Sequence, residues 1–138
     1  MNLAERIKKP VKHSDEFRSP FIIAEAGVNH EGSLDTAFRL IDEAKLGGAH
    51  AIKFQTYRAE TIASKYSPAY WDTSKEPIKS QYHLFKKYDK FWKPEFENLK
   101  LHCDDIGIEF LSTPFDLRSA DFLDDLMEVF KISSSDIT

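Results

Sequence analysis

Four short apolar runs, each ending in polar residues and separated by stretches long enough to hold a helix, constrain this chain more than any other feature. They are Phe21–Glu25, Ala49–Gln55, Ile108–Ser112 and Val129–Ile132. Runs of this length read as buried strands. After the first, Ser33 is a good N-cap, and Leu34, Ala37, Phe38, Ile41 and Ala44 recur at three- and four-residue spacing until Gly47-Gly48 stops the helix. Pro94 suits the first position of a second helix that runs to about Ile106, with Phe96, Leu99, Cys103 and Ile106 on its apolar side and Gly107 at its end. Leu117, Ala120, Leu123 and Leu126, with Phe122 beside them, predict a third. The order βα, βα, βα, β predicts parallel strands joined by right-handed crossovers.

Four such strands fit an open doubly wound sheet or half of a (β/α)8 barrel. A full barrel typically needs ~250 residues, so these 138 supply about half of one. The chain stops at a strand end with no helix to cover it, so a shortened barrel over 21–138 is expected. Residues 1–20, with Pro10 and Pro20 and no clear period, read as an extended lead-in with room for a strand hairpin over one end of the fold. Tyr57–Lys93 shows no strand signal and carries Pro68, Trp71, Pro77 and Trp92. Ile78, Tyr82, Leu84 and Phe85 predict a short helix within it. Connections this long are uncommon in compact domains and often serve as lids or binding loops. The plainer alternative is a surface excursion that makes a subunit contact through its aromatics.

Composition narrows the class. Hydrophobic residues are 41% and charged residues 30%, an ordinary globular mix. A net charge of −4 without a long basic run argues against nucleic-acid binding. The single cysteine excludes an internal disulfide framework and fits a reducing compartment. No apolar run approaches the ~18 residues of a membrane span, and residues 1–20 are too polar for a signal peptide. A cytoplasmic protein without nucleic-acid or membrane partners is expected.

In either parallel architecture, chemistry collects at the carboxyl ends of the strands. The sequence places Glu25, Asn29 and His30 there after the first strand, and Lys53, Gln55 and Thr56 at the second. Ser112 and Thr113 follow at the third, and Lys131, Ser133, Ser134 and Asp136 at the fourth. Lys53 and Lys131 emerge from apolar strands and are expected to be drawn inward. A buried ammonium needs a partner, because stripping its hydration costs several kcal/mol. That partner is a carboxylate such as Glu25, or an anion shared with Thr113 and Ser134. A single lysine would read as a structural ion pair; two lysines, hydroxyls and an acid at four successive strand ends favour an anion site. His30 is a weak metal signal, since such a histidine more often hydrogen-bonds its own loop. Cys103 reads as core. No dinucleotide, Walker or paired-cysteine motif is present.

The segments FIIAEAGVNHEGSLDTA, AIKFQTY, FLSTPFD and FKISSSDIT resemble the strand-end motifs of the sialic acid synthase family. That family includes N-acetylneuraminate synthase, its legionaminic and pseudaminic acid relatives, and spore coat polysaccharide proteins. The resemblance runs from about Phe21 to the C-terminus. It implies a (β/α)8 barrel that condenses phosphoenolpyruvate with the open-chain aldehyde of an N-acylated hexosamine, giving a nine-carbon 2-keto acid and phosphate. It also implies a divalent metal, usually manganese, whose ligands lie outside this chain, and a homodimer in the full-length protein. Carried over by motif, Lys53, Thr113, Lys131 and Ser134 would hold phosphoenolpyruvate. Glu25, Gln55 and Asp136 would face the sugar, with Glu25 the catalytic candidate for proton transfer. Asp136 departs from the pattern, standing where many members have Glu. Because later strands are absent here, the 138 residues alone are expected to be inactive. Two alternatives remain: a non-catalytic half-barrel that pairs with itself or another chain, and another phosphoenolpyruvate-condensing or aldolase-type barrel.

Overall fold

The computed structural model describes residues 1–9 and 19–137. Three parallel strands in the order β1 (Ile23–Gly27), β2 (Ala51–Thr56), β3 (Glu109–Pro114) form one sheet. A short helix α1 (Leu3–Lys8) precedes β1, and α2 (Leu34–Leu46) connects β1 to β2. The segment from β2 to β3 holds α3 (Ala59–Ile62), α4 (Gln81–Tyr88) and α5 (Lys93–Ile106); α6 (Leu117–Leu123) follows β3.

The helix boundaries follow local chemistry. Ser33 Oγ accepts the Thr36 N–H at 3.2 Å to start α2. The Glu95 carboxylate accepts the Trp92 N–H at 2.8 Å to start α5, which begins one residue before Pro94. Gly107 ends α5 at φ 72, a left-handed conformation that disfavours side chains with a Cβ. Period two then sorts the strands. Ala26, Ile52, Phe54 and Phe110 face the helices and pack with Ile41 of α2, Phe96, Leu99 and Cys103 of α5, and Phe122 and Leu123 of α6. Burial of the Cys103 thiol pushes its pKa up to about 12.

Four expectations are corrected. Val129–Ile132 forms no strand, and the sheet has three strands among the described residues rather than four. The edge of β3 is occupied differently, because the Ser112 N–H donates to Met127 Sδ at 3.3 Å. Lys131 is consequently exposed rather than drawn inward, and Ile132 lies open as well. Leu117, expected on the apolar face of the third helix, is 84% exposed. That helix lasts only two turns and buries Ser119, Phe122 and Leu123, leaving Leu126 beyond its end. The lead-in is not extended throughout: Leu3–Lys8 is helical, held by a reciprocal Asn2–Glu5 capping box. Its Leu3 N–H donates to Glu109 Oε2 at 2.8 Å, which fastens α1 to the amino end of β3. The middle of the expected hairpin falls outside the described residues.

The long connection is folded rather than loose. Pro68 and Ser80 form an antiparallel bridge, and the Trp71 indole N–H donates to the carbonyls of Glu76 and Ile78 at 3.2 and 3.1 Å. The predicted short helix is present as α4.

Candidate functional site

Strand register brings four of the predicted residues together. Glu25 lies opposite Lys53 and Gln55 opposite Thr113, all on the sheet face turned away from the Phe54–Phe110 core. Lys53 Nζ sits 2.5 Å from Glu25 Oε2 and donates to Thr113 Oγ1 at 3.2 Å. The Lys53 side chain is 12% exposed and that of Glu25 53%, so the ammonium lies behind a carboxylate that meets solvent. Gly27 turns the chain beside this grouping in a left-handed conformation that favours glycine. Its φ is 55, and a Cβ there would stand 3.4 Å from Glu25 Oε1 and 3.7 Å from Gln55 Nε2.

A cavity of about 850 Å³ opens beside this cluster at the carboxyl ends of β2 and β3. Gln55 and Asp136, predicted from sequence, line it. So do residues the motif reading missed: Tyr57, Thr61, Ile62, Tyr70, Phe85 and Tyr88 from the long connection, and Phe115 after β3. Their signal in the sequence was the aromatic density of the connection, which does not reveal which rings converge. A hydrogen bond ties the rim: Thr61 Oγ1 donates to Asp116 Oδ2 at 2.6 Å, while Asp116 Oδ1 accepts the Ser119 N–H at 2.7 Å. Burial alone would raise the Asp116 pKa, but these bonds together outweigh it and hold the carboxyl below its usual range.

Other predicted residues lie elsewhere. Lys131 and Ser134 are exposed and make no bond to the Lys53 cluster among the described residues. Ser133 Oγ accepts the Ser135 N–H at 3.4 Å and caps the 3-10 turn Ser134–Asp136. Thr56 and Ser112 share a buried hydroxyl–hydroxyl bond of 2.7 Å on the helix-facing side, which makes them core rather than site residues. His30 bonds its own loop, with Nδ1 accepting the Gly32 N–H at 3.0 Å. Its ring stacks on Phe91 at 3.9 Å, and burial pushes its pKa down to about 4. Among the described residues no group of three His, Cys, Asp or Glu is arranged to hold a metal ion, and no helix is long and apolar enough to cross a membrane.

The NeuB family model matches residues 40–138. The chain belongs to the NeuB family. An uncharacterized protein of Methanocaldococcus jannaschii is 40% identical over 97% of this chain and 36% of its own length. The N,N'-diacetyllegionaminic acid synthase of Campylobacter jejuni is 42% identical over 88% of this chain and 37% of its own. Among solved structures, the N-acetylneuraminic acid synthetase of Leptospira borgpetersenii, in complex with citrate, aligns at a TM-score of 0.67. It is 38% identical and covers 85% of this chain and 37% of that one. The chain thus spans little more than a third of the length of these relatives and matches the N-terminal part of a sialic acid synthase fold.

Proposed function

We propose that this chain supplies the first strand ends of an enzyme that condenses phosphoenolpyruvate with an N-acylated hexosamine. The observation that carries the reading is Lys53, a nearly buried ammonium held between Glu25 and Thr113 on the same strand face as Gln55, which lines the aromatic-walled cavity. Phosphoenolpyruvate is a compact anion, and an ammonium backed by a hydroxyl suits it. Lys131 and Ser134, both exposed here, are assigned to the same anion by the sialic acid synthase motifs. Gln55 and Asp136 meet the sugar's hydroxyls, and the aromatic rings take its apolar faces.

In the reaction, the enol carbon of phosphoenolpyruvate bonds to the aldehyde carbon, and the aldehyde oxygen takes up a proton. Water adds at the carbon that bears the phosphate, giving up a proton, and inorganic phosphate then leaves that carbon as a 2-keto acid forms. Glu25, open to solvent and bonded to Lys53, is the group placed to pass that proton. The described residues do not fit the divalent metal of the sialic acid synthase reading: no three-ligand group exists, and the central carboxylate is engaged by Lys53. No step is assigned to that ion, and its ligands, with manganese the expected ion, belong outside these residues. The same reading makes the whole protein a cytoplasmic homodimer.

A chimaera tests the proposal. This chain replaces the matching third of the Campylobacter jejuni synthase, and phosphate release from phosphoenolpyruvate is followed with N-acylhexosamines. A folded chimaera is expected to release phosphate only with the sugar present, and Lys53→Ala to lower kcat/KM by about 100-fold or more. A folded chimaera without turnover, or one indifferent to Lys53, overturns the reading. The 138-residue chain by itself is expected to release none.

A further inference from the structure

Beneath the large cavity lies a second, of about 10 Å³, lined by His30, Gln55, Tyr57 and Asp89 with Val28, Tyr88, Phe91 and Phe96. Val28, Gln55, Tyr57 and Tyr88 line both, so the small cavity is the floor of the large one. A single water needs roughly 10–15 Å³ and two to four polar partners. The space is therefore right for one molecule.

The partners are also right. His30 is 2% exposed, and its Nδ1 is committed as an acceptor to the Gly32 N–H. A neutral imidazole carries one proton, so the proton sits on Nε2, which has no protein partner among the described residues. Tyr57 is 6% exposed, and its hydroxyl likewise lacks a protein partner there. Ser119 Oγ is the only described side-chain polar atom sealed from water-sized space and unpartnered. The free atoms of His30 and Tyr57 therefore still reach such space. Asp89 is 7% exposed and accepts the Ala59 N–H through Oδ2 at 2.9 Å, leaving Oδ1 available. Gln55 makes no side-chain hydrogen bond to a described residue, although its amide reaches the turn at Gly27 beside Glu25.

We propose that this cavity holds one ordered water that accepts from His30 Nε2–H, donates to Asp89 Oδ1 and bonds Gln55, making His30 and Asp89 positioning residues for the Gln55 amide. The water's remaining bond goes to the Tyr57 hydroxyl, so donors and acceptors balance at four. His30 comes from the loop after β1 and Asp89 from the end of α4. The water therefore couples the long connection to the strand end that meets the sugar. The effect on substrate rests on the condensation reading above; the water itself does not.

Two measurements separate them. In the 138-residue chain labelled with 15N-histidine, two-bond 1H–15N correlations are expected to show His30 protonated on Nε2 at pH 7. Its Hε2 should give a cross-relaxation peak to a water retained longer than bulk solvent. An Nδ1-protonated ring, or an Hε2 without such a water, overturns the proposal whatever the enzyme does. In the chimaera, His30→Phe keeps an aromatic ring on Phe91 and removes the donor. It is expected to raise the sugar KM about tenfold with the phosphoenolpyruvate KM unchanged, and His30→Gln to restore most of the loss. A bound water together with unchanged sugar KM in His30→Phe refutes the positioning role and leaves the condensation reading standing.

Discussion

Acid should destabilise this protein through His30. The ring is 2% exposed, stacked on Phe91, and its pKa is pushed by burial from 6.5 down to about 4. The folded state therefore binds fewer protons than the unfolded chain between those values. Its stabilising preference for the neutral ring is fully present above pH 6.5 and is lost as the pH falls toward 4. A displacement from 6.5 to about 4 corresponds to roughly 3 kcal/mol, most of which has gone by pH 4.5. Carboxylates and the other histidines titrate in the same window, so the measurement is a difference between wild type and His30→Gln, in which their contributions cancel. Urea unfolding at pH 7.5, 6.5, 5.5 and 4.5 gives the stability of each. Wild type should lose about 2–3 kcal/mol more than the variant over that range, with most of the change below pH 6.5. A difference that stays constant to within about 0.5 kcal/mol would refute the claim that burial keeps this imidazole neutral.

Two further outcomes follow from packing. Gly32 has φ 80, and a Cβ there would stand 2.6 Å from Lys90 Cγ and 2.8 Å from Lys90 Cβ, atoms too near the backbone to swing away. Gly32→Ala should cost about 1–3 kcal/mol in urea unfolding, and an unchanged midpoint would contradict the contact. Cys103 is fully buried with its thiol pKa raised to about 12, so an aromatic disulfide reagent should react with it only as fast as the chain opens. Rapid labelling under native conditions would place the thiol elsewhere.

How much of this was legible in the sequence depended on how local the governing physics is. Helices α2 and α5 could be read because Ala37, Ile41, Phe96, Leu99 and Cys103 repeat with the helical period, and Ser33 and Gly107 mark ends through bonds made within a few residues. The shared face of Lys53 and Gln55 followed from strand alternation alone. That Val129–Ile132 would form no strand was not legible, because a ladder needs a neighbour and the Ser112 N–H on that edge is bonded to Met127 Sδ. The same non-local choice left Lys131 in solvent. Leu117 misled for a simpler reason: its spacing suits a longer helix than the two turns that form. The aromatic wall of the cavity was visible only as composition. The convergence of Tyr57, Phe85, Tyr88 and Phe115 depends on how α3, α4 and the turn after β3 pack, which no short-range pattern encodes.

The bond from the Leu3 N–H to Glu109 spans 106 residues of sequence. Six residues of helix are too few to persist alone in water, so α1 leans on bonds outside itself, this one to β3 and one from the Arg6 guanidinium to the Ser19 carbonyl. At roughly 5–20 residues per second, synthesis delivers that partner about 5–20 s after α1 is made. Part of that helix's support thus arrives well after the helix itself, on a carboxylate made 106 residues later.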